Sequence, residues 1–514
     1  MTARIKPFLF FAAALIFLVL TAPVNHSEAE DAYYYSRMAG QGAWSEMFHS
    51  HHLLYLPLVR TVFRGLQLSG YAGGALPVLI GVSMVSGALA VCLFAALLRR
   101  AGAKERIARF FAAALLFSYG FWRYSTTAEI YAHATMLALL TVYCAVRSEE
   151  HPLFFGGSVL SGAAALLIHL VTLPAVLLAV PFLYFARRSW RRAVVYSALT
   201  VLIASAVYFS AARTAGLVIF TDKEVVRDSL LAPRVWLKGA SAAGHNLLSA
   251  NFLFALPDAS QKIESLFPAQ MLQEEAFMGR QAPVWVRWLA PVTLGAVASL
   301  LVALLFFSLR NCRKGLSGSR GVAGAVLLWL GGSSAMAFLF EPANPEMWIC
   351  ALTPFWLSLG LIWRAAPEGR IARWLPVALA AGLLIHNGVG GISLVKSPEG
   401  DYCRQKAAWV VGQARPGDLI VSADSHSFIT FLEYQTPARV LDAKFADLKQ
   451  RDDAQQQTEG RIFVFGDVLE PLPPVRARLS TSVQRLRNFG ETLKPDLLMI
   501  HQDRFGTVYQ WKKP

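Results

Sequence analysis

Carboxylates are costly inside apolar segments, so where this chain keeps them is the first clue to its chemistry. His26, Glu28, Glu30 and Asp31 follow the first apolar run, Glu129 stands where two later runs meet, and Glu341 and Glu346 lie between two more. None sits in the middle of a run. Carboxylates gathered at run ends could take a proton from an acceptor hydroxyl, bind a divalent cation such as Mg or Mn, or orient a polyhydroxylated substrate. The plainer alternative is that each occupies a polar loop. An ion or proton pump would place acidic pairs within its spans beside interrupted helices, and the sequence holds no such pair.

The histidines require the same weighing. His49, His51 and His52 are close to the first carboxylates, but their spacing matches no zinc motif, which leaves capping or hydrogen bonding to a substrate. His133 and His169 fall near the outer ends of apolar runs, where each could line a pocket or serve as a hydrogen-bonded packing residue. The five cysteines are too few and too scattered for a disulfide framework or a zinc site.

The elements that must position these groups are membrane helices. Of the 514 residues 55% are hydrophobic and only 16% charged, with 33 Phe, 15 Tyr and 13 Trp, which excludes disorder and argues against a soluble enzyme. Candidate spans are 8–24, 75–98, 109–124, 129–146, 153–169, 172–186, 193–212, 290–309, 321–340, 347–363 and 374–393, about eleven helices. The net charge of +15 is not a nucleic-acid signature, because the basic residues cluster between these runs. Arg99, Arg100, Lys104, Arg106 and Arg109 form one cluster, Arg187, Arg188, Arg191 and Arg192 another, and Arg310, Arg313, Lys314 and Arg320 a third. The short alternate connections carry only Arg37, Arg60, Arg64 and Arg123. Under the positive-inside rule the N-terminus is cytoplasmic, the carboxylates face outward and the C-terminus is extracytoplasmic. The first run is read as a retained span; its short apolar stretch behind a basic start also fits a cleaved signal peptide.

Three regions lie outside the runs: 25–74, 213–289 and 397–514. In the first, His52 to Gln67 places its apolar residues on one face and Arg60 and Arg64 on another, as in a helix lying on a membrane surface. The second carries Trp236, Trp285 and Trp288 beside apolar patches, which predicts interfacial helices. The third alternates a helical stretch near 400–414 with the strand-like runs DLIVSA, RIFVFG and DLLMIHQ, beginning at Asp418, Arg461 and Asp496, and reads as a small α/β domain. No glycine-rich phosphate loop follows these strands. Asp424, Ser425 and His426 are read as a helix-capping turn. The expected division is a membrane domain over 1–396, with the two outer loops, and an extracytoplasmic α/β domain over 397–514.

Several segments resemble the GT-C superfamily of integral-membrane glycosyltransferases, particularly protein O-mannosyltransferase-like members. They are EAEDAYYYSRMA from Glu28, HSHHLLYLPLVR from His49, FWRYSTTAEIYAHATMLAL from Phe121 and, more loosely, EPANPEMWICALTPFWLSLG from Glu341. The chain departs from many relatives in its first loop, which holds Glu28, Glu30 and Asp31 where they carry an Asp-Glu pair or an Asp followed two residues on by Glu.

The resemblance implies transfer of a sugar from a polyprenyl-phosphate-linked donor to a glycan, lipid or protein acceptor at the outer face of a bacterial-type inner membrane. Asp31 is the favoured base and Glu30 the alternative, with Glu129 orienting the acceptor or a metal. Arg123 could bind the donor phosphate through its guanidinium, or snorkel to the interface. Tyr33, Tyr131, Glu341 and Asn344 lie in the same segments and join Glu28, His52, Arg123, His133 and His169 as candidate substrate contacts. The competing class is a non-enzymatic polyprenyl-lipid transporter or envelope-assembly scaffold.

Overall fold

A computed structural model describes residues 2–27, 29, 31–215, 233–267, 272–317, 320–364, 369–444, 456, 458–471 and 480–512. The chain divides into two compact units, one formed by 1–23, 38–250 and 288–393, the other by 24–37, 251–287 and 394–514.

Among the described residues the regular structure of the first unit is all helix, because a backbone in hydrocarbon must satisfy its own amides. Its elements are α1 (Thr2–Thr21), the last turn of α2 (Ala32–Gln41), α3 (Tyr55–Leu68), α4 (Ala75–Arg100), α5 (Glu105–Phe117), α6 (Tyr119–Ser125), α7 (Tyr131–Arg147), α8 (Pro152–Ile168), α9 (Val180–Ala186), α10 (Trp190–Ala215) and α11 (Pro233–Leu247). After the second unit's α12 (Pro257–Leu266) and α13 (Gln273–Arg280), α14 (Val284–Ser317), α15 (Arg320–Phe340), α16 (Pro345–Trp363) and α17 (Arg370–Asn387) return to it. Each apolar run named from the sequence lies mainly in helix. Among the described residues six helices are long and apolar enough to cross a membrane: Ala75–Arg100, Trp190–Ala215, Val284–Gly315, Arg320–Phe340, Pro345–Trp363 and Arg373–Val395. Shorter apolar helices cover Phe8–Thr21, Pro152–Ile168 and Leu170–Ala186. The chain is a multi-pass membrane protein. Leu202, Phe209, Val292, Val302 and Phe306 of α10 and α14 are exposed, as lipid-facing side chains are.

The run over 109–124 departs from the single helix expected of it. Ser118 adopts extended backbone angles and separates α5 from α6, while its hydroxyl donates to Ala114 O at 2.8 Å and accepts from Trp356 Nε1 at 2.9 Å. A buried indole N–H is thereby satisfied at the break. Asn387 performs a similar task at the end of α17. Its Oδ1 accepts from Ser249 N at 2.8 Å, and its Nδ2 donates to Phe117 O at 2.7 Å and Leu247 O at 3.0 Å, tying three segments together.

The second unit is built on a five-stranded sheet of order β2-β1-β3-β5-β4, with β1 (Leu419–Ser422), β2 (Arg439–Asp442), β3 (Ile462–Phe465), β4 (Leu497–Asp503) and β5 (Gly506–Trp511). β1 runs parallel to β2 and β3, while β5 is antiparallel to β3 and β4. Strands β1 and β3 are buried along their length, which explains their uninterrupted apolar sequence. After the short α18 (Ser393–Val395), α19 (Tyr402–Gln413), α20 (His426–Gln435) and α21 (Ser480–Leu493) complete the unit. The segment after α1 is pinned to it by Val24 N and Asn25 N, which donate to Val395 O at 3.0 and 2.9 Å.

Candidate functional site

Asp31 immediately precedes α2 in the second unit. One helical turn brings Tyr35 back over it, and the Tyr35 hydroxyl donates to Asp31 Oδ2 at 2.8 Å. Asp31 Oδ1 lies 3.4 Å from Nε2 of His426, the first residue of α20, and its side chain remains 39% exposed, so the carboxylate is oriented yet open to a reactant. The next faces of α2 fix this arrangement. Tyr33 is buried edge-on against Phe431 with Tyr434 beside it, and Arg37 Nη2 lies 2.9 Å from Glu433 Oε2. Glu28 and Glu30 lie outside the described residues.

The turn expected at Asp424, Ser425 and His426 is present, with the Ser425 hydroxyl accepting from Phe428 N at 3.2 Å as the cap of α20. Capping does not exhaust the role of this turn, because it also delivers His426 to Asp31. Sequence reasoning missed that pairing, since the two residues are brought together only by the packing of α2 on α20.

The other candidates belong to the first unit. Arg123 is in α6 and only 2% exposed. The hydroxyls of Thr126 and Thr127 end that helix by donating to Trp122 O at 3.0 Å and Arg123 O at 3.2 Å. Glu129 occupies the short link to α7, is also buried, and its carbonyl accepts from Ser83 Oγ at 3.2 Å. Thr126 and Thr127 thus close the helix ahead of a turn that holds the buried Arg123 and the buried Glu129 on neighbouring elements.

Tyr131 opens α7 and donates to Glu346 Oε2 at 3.0 Å. Its ring lies 5.4 Å from that of Tyr124 and 5.6 Å from His169. His169, in extended conformation after α8, accepts from Val171 N at 3.0 Å, and its ring lies 6.1 Å from His52, which is stacked 4.1 Å from His49. Burial, and then the neighbouring His49, His169 and His51, pull the His52 imidazole well below its usual range, favouring the neutral ring. His133 packs edge-on against Tyr55 at 5.4 Å. Asn344 caps α16 by accepting from Glu346 N at 2.9 Å, and its amide donates to Glu341 Oε2 at 3.2 Å.

A continuous polar and aromatic row therefore links His49, His52, His169, Tyr131, Glu346, Asn344 and Glu341. Tyr124, beside Tyr131, and Tyr55, beside His133, were not singled out by the sequence. Among the described residues, no three His, Cys, Asp or Glu side chains are arranged to hold a metal ion.

No family model and no curated protein sequence matches the chain. Solved structures do. ArnT from Cupriavidus metallidurans, bound to undecaprenyl phosphate, aligns over 98% of this chain and 97% of its own with TM-score 0.55 and 12% identity. The archaeal oligosaccharyltransferase AglB from Archaeoglobus fulgidus, in complex with an inhibitory peptide and a dolichol-phosphate, aligns over 99% and 74% with TM-score 0.50 and 11% identity. The S. cerevisiae Pmt1-Pmt2 protein O-mannosyltransferase complex covers only 42% of this chain, at a TM-score of 0.32 too low to bear on the fold. The chain has the fold of the GT-C integral-membrane glycosyltransferases, in agreement with the motif resemblance.

Proposed function

We propose that this protein transfers a sugar from a polyprenyl-phosphate-linked donor to an acceptor at the outer face of the membrane. The observation that carries the reading is the Asp31 carboxylate, open to solvent and oriented by Tyr35 and His426. The two solved structures of the same fold are complexes with undecaprenyl phosphate and with a dolichol-phosphate, lipids of the class such a donor would release.

In the proposed reaction Asp31 accepts the proton of an acceptor hydroxyl. The acceptor oxygen bonds to the anomeric carbon as the bond from that carbon to the phosphate oxygen breaks. Polyprenyl phosphate departs with the bonding electrons. Phosphate is a good leaving group, so the demands are a base on one side and cationic support on the other. Arg123 is assigned to the phosphate, because guanidinium binds its oxygens in bidentate fashion. Glu129 and the Tyr131 cluster are assigned to sugar and acceptor hydroxyls.

The groups that touch the reacting atoms are assigned to 1–396, and 397–514 is assigned to acceptor recognition and, through His426, to orienting Asp31. A deletion strain should lack one envelope glycan, restored by the wild-type gene and not by Asp31→Asn. An unchanged glycan profile would contradict the reading, and loss of the glycan restored equally by Asp31→Asn would favour a lipid transporter or scaffold.

The charge pattern supports a cytoplasmic N-terminus and an extracytoplasmic C-terminal domain in a bacterial-type inner membrane. Alkaline phosphatase fused after Pro514 should be active, and fused after Ser317 inactive. The reverse pattern would put the proposed site on the wrong side.

A further inference from the structure

The second unit contains a cavity of about 370 Å³ whose place in the fold and lining both point to a ligand. Strand β1 lies between β2 and β3, so the chain leaves β1 to one side and returns on the other, and open α/β sheets bind ligands outside the carboxyl ends of their strands at such a reversal. The β4–β5 hairpin tip, with Arg504 and Phe505, reaches this same end, because β5 starts beside the end of β3, where Phe465 pairs with Val508. Asp424, just past β1, fixes the floor: its carboxylate accepts from Tyr402 Oη at 2.8 Å and from Gln273 Nε2 at 2.5 Å, and both donors line the cavity.

The walls are preformed. The rings of Phe277, Tyr402 and Phe505 pack against one another at centroid distances of 5.3 to 5.8 Å. Arg280 is paired with Glu264. Arg504 is held instead by rings, its guanidinium carbon 5.2 Å from the centroid of Phe277 and 4.9 Å from that of Phe505. A stacked guanidinium keeps its donor edge available for the two oxygens of a carboxylate or phosphate. Aromatic faces, a planar amide and this cation suit a sugar ring that carries an oxyanion; a purely apolar ligand would leave the cation unmatched.

We propose that this cavity binds an anionic saccharide, a sugar bearing a carboxylate or a phosphate, as the recognition element of the acceptor. Its assignment to the acceptor rests on the glycosyl-transfer reading; the binding itself does not. Full-length protein in detergent is titrated calorimetrically with methyl glucuronide, glucose 1-phosphate, methyl glucoside and inorganic phosphate. At least one anionic sugar should bind tenfold or more tightly than methyl glucoside, the better of the two identifying the oxyanion. Arg504→Gln, at an exposed hairpin tip, should abolish the preference without lowering Tm, and Phe505→Leu should weaken both the charged and the neutral sugar. Absence of binding by both anionic sugars, or affinities unmoved by Arg504→Gln, would overturn the proposal. Inorganic phosphate binding as tightly as glucose 1-phosphate would also overturn it, marking a phosphate site. Wild-type turnover by Asp31→Asn would sink the base assignment and leave these binding results standing.

Discussion

Asp31→Asn is expected to reduce sugar transfer by about 10²–10⁴-fold while leaving membrane insertion and donor binding intact, since the amide preserves shape but cannot accept the acceptor's proton. The comparison series makes the assignment specific. His426→Gln should lower kcat by a smaller factor with little change in KM, because the ring orients the base at 3.4 Å and does not take its place. Glu129→Gln should be intermediate, and Glu28→Gln milder still. Turnover is measured on purified variants with matched Tm, using lipid-linked sugar and an acceptor extract. Near-normal turnover by Asp31→Asn would remove it from the mechanism, and collapse of Glu30→Gln alone would transfer the role to Glu30.

Lys406→Met should destabilise the second unit by about 3–5 kcal/mol, the usual cost of removing one partner from a buried ion pair. Lys406 Nζ is paired with the buried Asp424 and lies 2.9 Å from Asp467 Oδ2, with its side chain only 6% exposed. The rings of Phe428, Phe465 and Tyr402 surround the ammonium at 4.9 to 5.7 Å. Methionine would keep the packing and leave two carboxylates without their cation. Urea unfolding followed by near-UV circular dichroism reads the loss, and an unchanged midpoint would contradict the triad's role.

The same cluster sets a pH dependence. Burial raises the Asp424 carboxyl, but Lys406, Gln273 and Tyr402 outweigh it and hold the group below the ordinary carboxylate range. A carboxyl depressed in the folded state contributes stability above its unfolded pKa and loses it as pH falls through the folded value. Acidification below about pH 4 should therefore destabilise wild type by a larger increment than Lys406→Met. Burial raises Glu433 and Asp442 instead, and their protonation at somewhat higher pH acts in the opposite direction.

The membrane helices were legible because hydrocarbon leaves a long apolar run no other structure, and the carboxylates at the run ends because charge is excluded from the spans. The break at Ser118 was not: serine is compatible with a helix, and what favours the break is the indole of Trp356, distant in sequence. Among the strands, Leu419–Ser422 and Ile462–Phe465 announced themselves as buried apolar runs. Arg439–Asp442 and Gly506–Trp511, partly exposed and carrying polar residues, gave no comparable signal. The candidate site was legible in the same uneven way. Tyr131, Glu129 and Arg123 share one local segment whose residue types suggest chemistry. The contact of His426 with Asp31 depends on two helices far apart in sequence, so no local pattern contains it.

The most direct test of glycosyl transfer is to supply purified protein in liposomes with a donor labelled separately in the sugar and the lipid, and to follow both labels with and without an acceptor extract. The predicted result is acceptor-dependent release of polyprenyl phosphate, about one for each sugar appearing on the acceptor, abolished by Asp31→Asn. Movement of intact donor between leaflets, with both labels still joined and no acceptor dependence, would contradict the account and identify a lipid transporter.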